Sequence, residues 1–101
     1  MNNSTINIHN SMSDSEFNLT WKRILTHSNE TFYTKSGLEF TYHIKGDGFF
    51  PSRTTYRISK ADFRKVHDIF PIEGPGVIND IVRGPAYVWA VLHDQRISSD
   101  G

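Results

Sequence analysis

The chain has 101 residues and a formal net charge of zero, because eleven Lys and Arg balance eleven Asp and Glu. This length accommodates one domain. No apolar run approaches the roughly 18 residues of a membrane-spanning helix, and the first residues lack the pattern of a signal peptide. The absence of cysteine excludes disulfides, thiolate metal sites and cysteine nucleophiles, and it fits a cytoplasmic location.

The two ends of the chain differ from its middle in composition. Residues 1–15 are rich in Asn and Ser, which is typical of a flexible segment. Residues 98–101 are small and polar, so we expect a frayed end there. The sequence therefore predicts a single folded domain over residues 16–97.

The first predicted element is a short helix that Asp14 or Ser15 caps and that runs through Ile24, with a strand as the alternative because Asn18 and Thr20 favour helices less. Phe17, Trp21 and Ile24 follow the spacing that places side chains on one helical face. We expect this face to be buried.

Three strands are predicted next, over residues 31–35, 38–45 and 53–58. Residues 38–45 alternate strictly between apolar and polar side chains, which is the pattern of a half-buried strand. Gly46-Asp47-Gly48 predicts a tight reversal, since glycine adopts positive φ without strain. The alternation resumes from Arg53 to Ile58, and this segment is interpreted as the third strand.

The second half of the sequence predicts helices. Ser59 and Asp62 have the spacing of a helix cap, and a helix is expected from there to about Ile69. Pro75 favours a short helix that covers residues 77–82. Pro85 suits the first turn of a final helix that runs to about His93. Strands followed by helices indicate the α+β class, with a small three-stranded antiparallel sheet and a helical C-terminal half.

Basic residues are concentrated between positions 53 and 65, and they suggest a nucleic-acid-binding face. The residues expected to contact phosphates are Arg53, Arg57, Lys60, Arg64 and Lys45. A cationic sheet face beside a cationic helix edge could seat a phosphate backbone. The competing interpretation is an ordinary solvated sheet face on which Glu39 pairs with a nearby arginine.

The two C-terminal helices resemble a helix-turn-helix in outline, which leaves a winged-helix-like arrangement open although the strands come first here. The second of these helices is apolar almost all round, so we expect it to be buried in the core or in a dimer interface rather than in a DNA groove. In a homodimer, Tyr87 and Trp89 would be the interface anchors.

Aromatic residues crowd the predicted strands. Phe49 and Phe50 are consecutive, so regular strand geometry points their side chains in opposite directions. One of the two is therefore a candidate exposed ring, which could stack a base or a flat ligand beside the arginines.

No motif indicates catalysis or a cofactor. The five histidines are scattered, no two of them have a metal-ligand spacing on one helix face, and the acids are spread singly. We therefore expect no metal, no cofactor and no enzymatic activity. The sequence is interpreted as a small, bacterial-type, non-enzymatic module that binds DNA or RNA and no membrane. The alternative is a self-associating protein–protein or small-ligand-binding domain.

Overall fold

The computed structural model describes the backbone of residues 2–98 and the side chains of residues 14–98. Within these residues, the chain forms four α-helices, one 3-10 helix and five short strands. They are, in chain order, α1 (Asn2–Thr26), β1 (Phe32–Tyr33), β2 (Glu39–Phe40), β3 (Tyr42–Lys45), β4 (Gly48–Pro51), β5 (Ile58–Ser59), α2 (Lys60–His67), the 3-10 helix (Pro75–Ile78), α3 (Pro85–His93) and α4 (Gln95–Ser98). The predicted α+β class and the helical C-terminal half are confirmed.

The strands form two antiparallel sheets, one of β1 and β2 and one with the order β3-β4-β5. Lys45 pairs with Gly48 across the β3–β4 hairpin, so Gly46 and Asp47 form the predicted tight turn. The predicted strand over residues 38–45 is divided at Thr41 into β2 and β3. The division follows from pairing, because β2 belongs to one sheet and β3 to the other.

The predicted strand over residues 53–58 is wrong except at its last residue. β5 begins at Ile58 and runs antiparallel to β4, with Ile58 opposite Phe49. The chain must therefore reverse direction after Pro51, and residues 52–57 form the connection. Arg53 and Arg57 consequently lie in a loop and share no strand face.

Two of the helices predicted in the second half begin where expected, after the cap at Ser59 and at Pro85. The short helix predicted over residues 77–82 is instead a 3-10 helix over Pro75–Ile78. The Ser59 side chain accepts a hydrogen bond from the Asp62 N–H and caps α2, and α3 begins at Pro85. α2 ends at His67, before the predicted Ile69, and α4 adds a short helical turn beyond the predicted end of α3. Within the described residues, none of the helices combines the length and the apolarity needed to cross a bilayer.

The core lies between the inner face of the three-stranded sheet and the helices. Phe17, Trp21 and Ile24 of α1 are all buried, which confirms the predicted apolar face. The Tyr42 ring lies against this helix, and its hydroxyl donates to the Ile24 carbonyl at 2.7 Å. That carbonyl belongs to the last turn of α1, where carbonyl groups have no N–H partner within the helix. Burial raises the pKa of Tyr42, so the hydroxyl remains a donor.

Arg96 connects α4 to the segment between α1 and β1. Its guanidinium bonds both carboxylate oxygens of Asp94 at 2.9 Å. It also donates to the Glu30 carboxylate at 3.1 Å and to the Thr31 carbonyl at 2.9 Å. The same group lies 3.7 Å from the centroid of the buried Phe32 ring. The hydrogen bonds from Arg96 lower the pKa of Asp94, so this carboxylate stays charged to a lower pH than an ordinary aspartate does.

The backbone of α1 begins at Asn2, earlier than predicted, because no glycine or proline interrupts residues 2–26. The flexibility of residues 1–15 and the fraying of residues 98–101 stay predictions. The side chains of residues 1–13, and residues 99–101 altogether, lie outside the described part of the chain.

Candidate functional site

A shallow depression of about 470 Å³ brings three of the predicted basic residues together. We call it the cationic depression. It is lined by Phe17, Asn18, Asp47, Arg57, Ser59, Lys60, Ala61 and Arg64. These residues come from α1, the β3–β4 turn, the connection before β5, and the first turns of α2. Elements far apart in the sequence therefore build a single surface.

Arg57 reaches the cationic depression over the backbone of Gly48. A Cβ atom at Gly48 would lie 2.5 Å from the Nε of Arg57, so only glycine leaves the space that this side chain occupies. Lys60 is the first residue of α2, and its N–H donates to the Asp47 carbonyl at 2.9 Å. Its ammonium lies 5.7 Å from the centroid of the Trp21 ring, a distance at which the two attract.

Arg64 follows Lys60 by four residues and lies on the same face of α2. Its guanidinium is 2.7 Å from the Asp14 carboxylate and 3.0 Å from the Asp68 carboxylate. The hydrogen bonds that Arg64 donates to Asp14 and then to Asp68 raise the pKa of Arg64. The guanidinium also lies 5.5 Å from the centroid of the Phe17 ring. Arg64 is thus a positioned charge at the edge of the cationic depression.

The charges at the cationic depression are unequal. Three cations and one acid, Asp47, are among the lining residues. Because Arg64 is paired with Asp14 and Asp68, the excess positive charge comes from Arg57 and Lys60. Within the part of the chain whose side chains are described, neither Arg57 nor Lys60 has a carboxylate oxygen within 4.0 Å. The N-terminus of α2 adds its positive dipole end at Ser59 and Lys60. This combination attracts anions.

The structure places the two other predicted basic residues outside this lining. Lys45 is exposed at the end of β3, opposite Gly48 and therefore next to Arg57. Arg53 lies near the opposite end of β4, where its Nε donates to the Glu39 carbonyl at 2.7 Å. The expected contact between an arginine and Glu39 exists, but it is made by the backbone carbonyl.

Sequence reasoning missed the contribution of α1. Asn18 lines the cationic depression, and Lys22 lies one turn later on the same face of the helix. The helical spacing of these two polar residues is visible in the sequence. The docking of α1 beside α2, which makes the spacing relevant, is not.

The predicted interface residues make their contacts within one chain. Trp89 is buried, its indole N–H donates to the Ile72 carbonyl at 3.3 Å, and its ring stacks on His93. Tyr87 is half-buried and packs edge-on against Phe40 with 5.0 Å between the ring centroids. A role of Tyr87 and Trp89 in a dimer stays a prediction.

A second cavity of about 500 Å³ lies around His67, between α1 and the end of α2. The Thr20 hydroxyl donates to the Glu16 carbonyl at 3.2 Å, so its oxygen accepts from the His67 Nε2–H at 3.3 Å. The Nδ1 atom is then an acceptor, and it is buried without a partner among the described residues. Burial lowers the pKa of His67, whereas Asp68 and Glu16 act in the opposite direction.

This arrangement predicts that acid destabilises the fold through His67. Because the pKa is lowered in the folded state, the unfolded chain binds the proton more tightly. The stabilisation is complete above the ordinary histidine pKa of about 6.5 and is lost progressively as the pH falls below it. Urea unfolding at pH 7.5 and pH 5.5 should show a larger loss for the wild type than for His67→Gln. Equal losses in the two proteins would contradict the assignment.

Comparison of the chain with protein-family models, with curated proteins and with solved structures gives no match.

Proposed function

We propose that the protein is a non-enzymatic module that binds the phosphate backbone of a nucleic acid through the cationic depression. The observation that carries this proposal is the convergence of Arg57, Lys60 and Arg64 on one concave surface at the N-terminus of α2. Arginine and lysine side chains beside a helix N-terminus are the groups that proteins use to hold phosphates.

The shape of the cationic depression suits a polymer better than a small free anion. It is open to solvent, and its cations come from both the β4–β5 connection and the first turns of α2. Two phosphate contacts, by Arg57 and Lys60, correspond to a logarithmic dependence of affinity on salt concentration with a slope of roughly −1.5 to −2. Because the net charge of the whole chain is zero, we expect modest affinity that depends strongly on these few residues.

The double variant Arg57→Gln/Lys60→Gln is expected to weaken binding about ten-fold or more at low salt and to reduce the salt slope by about two. Neither side chain forms an ion pair with an acid among the described residues, so replacing them leaves no carboxylate without its ion-pair partner. Fluorescence anisotropy with labelled oligonucleotides at 50 and 200 mM salt measures both quantities (about the range over which such contacts weaken strongly).

The matched control is Arg53→Gln/Lys65→Gln, which changes the net charge equally within the same basic segment. Arg53 lies near the other end of β4, and Lys65 is exposed beside Asp62 on α2. This control should bind nearly as the wild type does. Equal weakening of the two double variants would show that net charge alone matters, and a wild type that does not bind at low salt would refute the proposal.

A second candidate function, small-ligand binding, is favoured by the cavity around His67. That cavity has an apolar wall of Phe70, Pro71 and Leu92 and a polar wall that includes Thr20, which is the mixture that ligand pockets show. Its occupation would shift the backbone resonances of α1 and α2 in an NMR screen of small molecules. The other alternative, self-association through the half-buried Tyr87, is tested by sedimentation velocity at micromolar concentration.

A further inference from the structure

The outer face of the three-stranded sheet carries two aromatic rings. Tyr42 and Phe49 point into the core, so the alternation along β3 and β4 directs His43 and Phe50 to the outside. The two residues lie directly opposite each other in the β3–β4 register. The side chain of His43 is exposed, and Phe50 is half-buried. We call this pair the aromatic shelf.

The rings of the aromatic shelf are parallel. Their centroids are 5.0 Å apart and their planes differ by 8°. Cross-strand contact holds the two rings in register, so the shelf is preformed and needs little ordering to accept a third ring. A flat π-system presented in this way is the geometry on which nucleic-acid bases stack.

Positive charge flanks the aromatic shelf on the side of the cationic depression. A Cβ atom at Gly48 would lie 2.5 Å from the Nε of Arg57 and 3.0 Å from the Cε1 of Phe50. Arg57 and Phe50 therefore meet over the same glycine, and Lys45 is paired with that glycine across the hairpin. Arg57 belongs to the cationic depression as well, so the two surfaces are continuous.

We propose that the aromatic shelf stacks an unpaired base of a single-stranded nucleic acid whose phosphates lie along the cationic depression. This inference rests on the proposed function and specifies its partner. In a duplex, the faces of the bases are covered by neighbouring bases, and only their edges are open in the grooves. A shelf that offers a ring face, and cations that offer phosphate contacts, thus favour single strands over duplexes.

The experiment compares three fluorescein-labelled probes of equal length: a mixed-sequence single strand, an abasic single strand with the same backbone, and a duplex. The wild type should bind the mixed-sequence strand most tightly. Phe50→Leu and, separately, His43→Ser should each weaken that binding by roughly 5- to 150-fold, since one stacked base contributes that much affinity. Neither variant should change the salt slope or the binding of the abasic strand.

Two further variants make this experiment interpretable. Phe50→Tyr keeps the ring and should retain wild-type affinity, whereas Tyr33→Leu removes an exposed ring from the other sheet and should have no effect. His43 is exposed, so His43→Ser tests the aromatic shelf even if Phe50→Leu lowers the stability, which circular dichroism would report.

The possible failures are distinguishable. Unchanged binding of the mixed-sequence strand by Phe50→Leu and His43→Ser, or equal binding of the abasic strand by the wild type, would overturn the stacking inference. The loss caused by Arg57→Gln/Lys60→Gln would then still support phosphate binding. A wild type that binds none of the three probes would overturn both proposals.

Discussion

Replacing Phe49 by alanine is expected to lower the free energy of unfolding by about 3–5 kcal/mol. The Phe49 ring is fully buried and lies at the centre of the aromatic core. It stacks on Tyr42 with 4.4 Å between the ring centroids and contacts Phe63 of α2 at 4.8 Å. Its removal leaves a cavity between the sheet and α2 that neighbouring rings cannot fill without leaving their rotamers. A domain of this size has only roughly 5–15 kcal/mol of stability in total.

The adjacent residue provides the control for this measurement. Phe50→Ala removes the same number of atoms from the same strand, but from its solvent-facing side. We expect that variant to cost about 1 kcal/mol, which is typical of half-exposed positions. Urea unfolding at 25 °C, followed by tryptophan fluorescence, measures both changes. Similar losses in the two variants would contradict the assignment of Phe49 to the core face of the sheet and of Phe50 to its outer face.

Replacing Gly84 by alanine is expected to cost about 3 kcal/mol, because backbone strain and overlap in the core add. Gly84 has φ 65° and ψ 45° and precedes the first residue of α3. A Cβ atom there would lie 2.7 Å from the Cδ1 of Ile58 and 3.0 Å from the Tyr56 hydroxyl. Ile58 is enclosed in the core, so its side chain cannot turn away.

Gly46→Ala separates these two contributions. Gly46 has nearly the same φ, 61°, but no heavy atom lies within 4 Å of its Cβ position. This variant should cost only the strain of a left-handed residue, about 1 kcal/mol. Thermal unfolding of both variants tests the expectation. If Gly46→Ala were as destabilising as Gly84→Ala, the close approach of α3 to β5 would not explain the loss.

Much of the fold was predictable because its signals are local. The alternation from Leu38 to Lys45, the turn at Gly46, the cap at Ser59 and the proline that begins α3 each depend on neighbouring residues alone. The turn, the cap and the proline are confirmed, whereas the alternating segment forms two separate strands and its first residue, Leu38, is exposed. The division of the long strand at Thr41 was not predictable, since it depends on which partner each half selects.

The error at residues 53–58 has the same origin. Thr54, Tyr56 and Ile58 alternate with polar residues just as strand residues do. The pattern does not show that β5 returns antiparallel beside β4, which requires the chain to turn around first. Where pairing geometry and local alternation compete, the pairing decides, because it satisfies the backbone hydrogen bonds of two strands at once.

The candidate site was predictable in its residues but not in its arrangement. Arg57, Lys60 and Arg64 were identified from the charge concentrated in one segment. Their convergence depends on the fold of the 52–57 connection, and the contribution of Asn18 depends on how α1 docks. Both are long-range properties of packing. The two-residue period of a strand predicts that one ring of the Phe49–Phe50 pair points outward. The stacking of Phe50 on His43 could not be predicted in this way, because it depends on the register of the β3–β4 hairpin.

The contacts of Arg96 have a consequence for synthesis of the chain. Arg96 and its partner Thr31 are 65 residues apart. At typical elongation rates, a ribosome adds Thr31 about 3–13 s before it adds Arg96. Until Arg96 is added, the Phe32 ring lacks the guanidinium that covers it in the complete fold. The segment after α1 therefore acquires its last set of contacts only after residues of α4 have been synthesised.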